Sequence, residues 1–144
     1  MTKRAIAFDK GDKRIGVAVS DPFNEYAMPC ETYFRTGRFR EDVAAVAAIA
    51  AEKGAGTIVC GLPLNADGTE GEQAEKTRRF AAALAESTSL PVEWEDERFT
   101  TLQARETQIA GGVRRDRRKK TVDSIAASYI LEGYLSRMKT KKGL

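Results

Sequence analysis

The sequence contains no histidine. That gap excludes Ser-His-Asp and Cys-His catalysis, His-ligated zinc and any imidazole acid or base. Cysteine is scarce too, with only Cys30 and Cys60, a pair without metal-site spacing. Cys60 closes the apolar run Thr57-Ile58-Val59-Cys60 and reads as a buried reduced thiol, not half of a disulfide. Long hydrophobic runs are missing. The longest, residues 43–51, falls far short of the ~20 residues a membrane helix needs. Only four consecutive apolar residues precede Asp9, too few for a signal peptide. The expectation is a cytoplasmic protein with no membrane contact. Any catalysis must then rest on carboxylates, lysines, hydroxyls or a bound metal.

The 144 residues, with 42% hydrophobic and 31% charged side chains, suit one globular domain with a real core. We expect that domain to span 1–138, followed by a flexible basic tail at 139–144. The net charge of +3 hides an asymmetry: residues 1–97 carry a net −5 and residues 98–144 a net +8. A basic C-terminal third points to a polyanionic partner, with solvated surface charge as the alternative.

Alternation and β-branched content predict a hairpin in AIAFDKGDKRIGVAVSD, residues 5–21, turning at Lys10 to Lys13. Asp12 suits the turn itself. Asp9 instead closes the first strand, either as a turn residue or as a functional acid. Residues 26–34 read as a third strand, which Pro29 assigns to an edge or a bulge. Phe39, Val43, Val46 and Ala50 form the apolar stripe of a helix over 38–53, stopped by Gly54. A buried parallel strand follows at 57–62. Next come a loop through Gly68, a helix over about 70–86 and a fifth strand at 92–97. Thr100 and Gln103 form a capping box for a helix ending at Gly111-Gly112. The basic segment Arg114 to Lys120 reads as a loop before a last helix over 121–137.

This order implies an α/β fold: a five-stranded mixed sheet, made of a three-strand meander then two parallel strands, flanked by helices. In such sheets, sites form beyond the carboxyl ends of the parallel strands. Asp9 ends the first strand and Glu97 the fifth, so both emerge at one edge if those strands are parallel neighbours. Asp123 opens a helical face completed by Ala126, Ala127, Ile130 and Tyr134. A first-turn acid can simply complement the helix dipole. An inward-facing carboxylate needs a partner, however, and no lysine shares that face. A metal ion shared by Asp9, Glu97 and Asp123 satisfies all three. Oxygen-only ligands suit Mg2+ or Mn2+, which can drive phosphodiester hydrolysis without histidine.

Four blocks carry a family resemblance: Asp9-Lys10-Gly11-Asp12-Lys13-Arg14-Ile15-Gly16 with Ser20-Asp21-Pro22; Gly61-Leu62-Pro63 with Asp67-Gly68; Asp96-Glu97-Arg98-Phe99-Thr100-Thr101; and Val122-Asp123-Ser124-Ile125-Ala126-Ala127. In this order the sequence resembles the pre-16S rRNA nucleases, the YqgF-type, RuvC-like Holliday junction resolvase family. The resemblance implies an RNase H-like fold and a nuclease that hydrolyses phosphodiester bonds. It also implies a carboxylate site at Asp9, Glu97 and Asp123 holding Mg2+ or Mn2+. Its expected role is 5′-end maturation of pre-16S rRNA in ribosome biogenesis, with ribosomal precursor particles as partners. A structure-selective endonuclease for branched DNA is the alternative. Lys10 departs from the apolar residue the family pattern leads us to expect there. Lys13, Arg14, Arg98, Arg114, Arg115, Arg117, Arg118, Lys119 and Lys120 are the expected nucleic-acid contacts.

Two other functions fit parts of the sequence. Actin-like ATPases and sugar kinases also place an acid before a glycine hairpin, but they grip ATP between two such domains. A non-catalytic nucleic-acid binding module would keep the basic segment and would not need three converging acids.

Overall fold

The computed structural model describes residues 3–96 and 115–141. Strands β1 (Arg4–Lys10), β2 (Arg14–Ser20) and β3 (Ala27–Phe34) form the meander. Helix α1 (Phe39–Glu52), strand β4 (Ala55–Leu62), helix α2 (Glu72–Thr88) and strand β5 (Val92–Asp96) follow, and helix α3 (Arg115–Lys141) comes last. The sheet order is β3-β2-β1-β4-β5, antiparallel from β3 to β1 and parallel from β1 to β5. The expected sheet is therefore present, with β4 separating β1 from β5. Pro29 lies on the edge strand β3, where the register with β2 shifts between Val17 and Ala18.

Strand alternation sorts the core into two layers of different bulk. Ile6, Phe8, Ile15, Val17, Ile58 and Cys60 pack with Val43 and Val46 of α1 and with Phe80 and Leu84 of α2. The opposite face is built from small residues, Ala5, Ala7 and Ala18 with Val59, under Ala127, Ile130 and Leu131 of α3. Among the described residues, two helices cover the bulky face and one lies close against the face of alanines.

Helix α3 starts earlier than the sequence reading placed it. The segment 115–120 is helical backbone, not loop, because arginine and lysine are good helix formers and no Gly or Pro interrupts 113–132. The helix also continues to Lys141, through the first residues of the expected tail. Phe39, assigned to the apolar stripe of α1, is 41% exposed, and Asp42 beside the stripe is fully buried. Both cysteines are free and Cys60 is buried. Among the described residues no helix is long and apolar enough to cross a membrane.

Candidate active site

Asp9 sits one residue from the end of β1, in phase with Ala5 and Ala7, so it belongs to the face that α3 covers. Its partner across the hairpin is Gly16, and directly opposed residues on antiparallel strands have Cα atoms ~4.5–5.5 Å apart with side chains on the same face. Gly16 is where α3 comes down. A Cβ built on Gly16 would lie 1.9 Å from the Asp123 carbonyl oxygen and 3.0 Å from its Cα. Only a residue without a side chain permits that approach. Asp123 is thereby seated over Gly16, the residue paired with Asp9.

The Asp123 carboxylate is half-buried, and its Oδ2 accepts a hydrogen bond of 2.6 Å from Arg14 Nε. This is the partner the sequence reading sought on the face of α3. It comes from β2 instead, two residues before Gly16. Arg14, expected at nucleic acid, is thus also the counter-ion of a candidate ligand. The turn joining β1 and β2 is closed by Gly11 N donating to Arg14 O at 2.8 Å. Asp12 accepts from Gln73 Nε2 of α2 at 3.2 Å.

Behind this turn lies a buried network that the sequence reading missed. Asp42, in the first turn of α1, is fully buried. It accepts hydrogen bonds from Tyr33 Oη (2.9 Å), Arg35 Nε (3.1 Å), Thr36 N (2.9 Å) and Thr36 Oγ1 (3.0 Å). Burial pushes the Asp42 carboxyl up, but the Thr36 amide, Tyr33, Arg35 and the Thr36 hydroxyl together hold it below its usual value. Burial, together with Asp42, raises the Tyr33 phenol. Arg35 then reaches the hairpin twice, its backbone N–H on Lys13 O at 2.8 Å and its Nη1 on Gly11 O at 3.1 Å. The signal that could have found Asp42 is an acid one residue from the apolar stripe of α1, seven residues after an arginine and six after a threonine. For Gly16 it is a glycine inside a strand, which marks close backbone approach.

Other motif residues hold the fold together. Asp21 accepts the N–H groups of Tyr26, Glu25 and Phe23, which hold its carboxyl below its usual range against the upward push of desolvation. Ser20 Oγ accepts Ala5 N at 2.9 Å. This block therefore shapes the β2–β3 turn at the opposite end of the sheet from Asp9. Asp67 accepts the N–H and hydroxyl of Thr69 within its own loop.

Glu97, Arg98 and Arg114 lie outside the described residues. Arg115, Arg117, Arg118, Lys119 and Lys120 belong to the first turns of α3, directly before Asp123. Among the described residues, no three His, Cys, Asp or Glu side chains form a metal-holding group. Asp9 and Asp123 nonetheless supply oxygen donors of the type a hard divalent cation takes. Arg14 already places a positive group against one of them.

Comparison with known proteins bears on this geometry. Residues 3–137 match the model of the RuvX family, described as "Holliday junction resolvase". This chain belongs to that family. A relative from Rhodopseudomonas palustris (strain BisB5), named "Putative pre-16S rRNA nuclease", is 47% identical over 133 residues, covering 92% of this chain and 82% of its own length. One of the same name from Clostridium kluyveri is 42% identical over 135 residues, covering 94% of this chain and 98% of its own. Among solved structures, that titled "T. thermophilus RuvC in complex with Holliday junction substrate" superposes with a TM-score of 0.58 at 17% identity, covering 96% of this chain and 98% of that one. At such low identity the likeness establishes the fold alone, and the RuvC-like, RNase H-like architecture is the one expected.

Proposed function

We propose that this chain is a metal-dependent nuclease that hydrolyses phosphodiester bonds, acting in 5′-end maturation of pre-16S rRNA during ribosome biogenesis. The observation that supports the chemistry is the contact between the Asp123 backbone and Gly16, the strand partner of Asp9. The names of the relatives that align over nearly the whole chain support the substrate. The family description supports a second reading, cleavage of branched DNA.

In this reading Asp9, Asp123 and Glu97, next in the chain after Asp96, hold Mg2+ or Mn2+. When bound, the cations activate water and offset charge at the scissile phosphate. The protein supplies position. Strand β1 fixes Asp9, Gly16 fixes the depth of α3, and Arg14 orients Asp123. Lys13, Arg98, Arg114, Arg115, Arg117, Arg118, Lys119 and Lys120 hold substrate phosphates near these acids. Ribosomal precursor particles and a cytoplasmic location complete the proposal.

The deciding experiment is a cleavage assay on pre-16S rRNA ends and four-way DNA junctions side by side, with Mg2+ and with Mn2+. Metal-dependent cutting of the rRNA end supports the first substrate, and cutting of the junction alone supports the second. If the folded protein binds both and cuts neither, it is a binding module.

A further inference from the structure

Strand alternation sends Lys10 to the face opposite Asp9, in phase with Ile6 and Phe8. There, Lys10, Asp12, Arg35, Phe39, Lys76 and Arg79 line a cleft of about 240 Å³. Four cations and one carboxylate line a concavity at the same sheet end as Asp9. Its parts differ in rigidity. Arg35 is fixed by Asp42 and Gly11, and its guanidinium lies 5.4 Å from the Phe80 ring centroid. Lys76 and Arg79 are exposed, each paired one helical turn back with an exposed glutamate, Glu72 at 3.4 Å and Glu75 at 3.2 Å. Such exposed pairs are worth only ~0.3–0.5 kcal/mol, so a phosphate can recruit both cations at little cost. Phe39 stands at the rim, edge-on to Phe80 with centroids 5.8 Å apart, and presents an exposed ring.

We infer that this cleft is a second phosphate-binding position, engaging the backbone of a nucleic-acid strand that passes the end of β1 from the Asp9 face to the face of α1 and α2. The inference rests on the nuclease reading and deepens it. Lys10 and Arg35 form the floor, Lys76 and Arg79 close on the phosphate, and Phe39 offers a surface on which a base can stack. Lys10, the residue that departs from the family pattern, thereby has a role of its own.

The test is fluorescence anisotropy of a labelled single-stranded RNA with the full-length chain in EDTA, across a KCl series. The Lys76→Gln/Arg79→Gln variant is compared with the parent and with Lys3→Gln/Lys139→Gln, an equal charge change at the other end of the sheet. Each lost single-strand phosphate contact lowers the slope of log affinity against log salt by ~0.7. The cleft variant should therefore lose about 0.7 from the slope while the control keeps the parental value, both melting as the parent does. With Mg2+ and limiting substrate its cleavage should fall along with its affinity, the half-saturating concentration being raised. A parental slope in the cleft variant, or an equal loss in the control, overturns the inference and leaves the nuclease reading intact. A parent that binds no RNA overturns this inference and the substrate reading together. A parent that binds RNA and cleaves nothing overturns the nuclease reading alone, since the salt slopes still judge the cleft.

Discussion

Arg14 Nε lies 2.6 Å from Asp123 Oδ2, so strand β2 supplies the counter-ion for an acid carried by α3. The pair is only partly shielded, with 34% of the arginine and 19% of the aspartate side chain exposed. Its coupling in a double-mutant cycle should therefore be modest, ~0.2–1 kcal/mol by urea denaturation without metal. If Asp123 is a metal ligand, saturating Mg2+ should shrink that coupling toward zero. Arg14→Gln should also bind Mg2+ more tightly by calorimetry, because a competing cation is gone. Equal coupling with and without Mg2+ would show that Asp123 serves Arg14 alone.

Asp9→Asn keeps the shape of the side chain and removes its charge. Loss of groups that only support metal ligands costs ~10–100-fold, so losing a ligand should slow cleavage by more than ~100-fold, with RNA binding kept or strengthened. Mg2+ should raise the melting temperature of the parent, and Asp9→Asn should diminish that gain. A folded Asp9→Asn protein that cleaves at the parental rate would return Asp9 to the role of a turn residue.

Gly16→Ala places a methyl group 1.9 Å from the Asp123 carbonyl oxygen. Backbone cannot swing aside as a side chain can, so α3 must lift from the sheet. We expect a loss of at least ~1–3 kcal/mol, the usual cost of overpacking, and loss of cleavage even where the variant folds. Gly71→Ala is the matched control, since the nearest atom its new methyl meets is the end of the Asn65 side chain at 3.3 Å. Chemical denaturation of the two variants should separate them clearly.

Asp42→Asn should remove an acid-sensitive part of the stability. The folded carboxyl lies below its ordinary value of 3.8. Its contribution is therefore complete above about that pH and is lost as pH falls through the depressed folded value. The parent should lose stability more steeply than Asp42→Asn below pH 3.8, measured by melting temperature against pH. At neutral pH the substitution should itself cost ~1–3 kcal/mol, because an amide cannot accept from all four donors. Identical acid limbs for the two proteins would remove Asp42 from this role.

Much of this was legible from residue order because alternation is a local property. The parity of Ala5, Ala7 and Asp9 against Ile6, Phe8 and Lys10 separates the two faces before any fold is known. The face of α3 running through Ala126, Ala127, Ile130 and Tyr134 is equally local, and all four are buried. Partners that arrive from distant sequence were not legible. Arg14 lies 109 residues from Asp123, and nothing near either one announces the other. Nothing local sets Asp42 apart from an ordinary first-turn acid of α1, because its donors come from β3 and the two residues that follow that strand. The early start of α3 was missed because a dense run of positive charge suggests a solvated loop, while its backbone propensity favours helix.

The alanine layer under α3 acts as a spacer whose thickness is counted in methyl groups. Ala7, Ala18 and Ala127 set how far the helix that carries Asp123 stands from the strands, β1 with Asp9 among them. Oxygen ligands sit ~2.0–2.1 Å from Mg2+ and ~2.3–2.6 Å from Ca2+, a difference smaller than the girth of one added methyl. If Asp9 and Asp123 hold a cation as proposed, exchanging Ala18 for valine, wholly inside the core, would retune which one they accept.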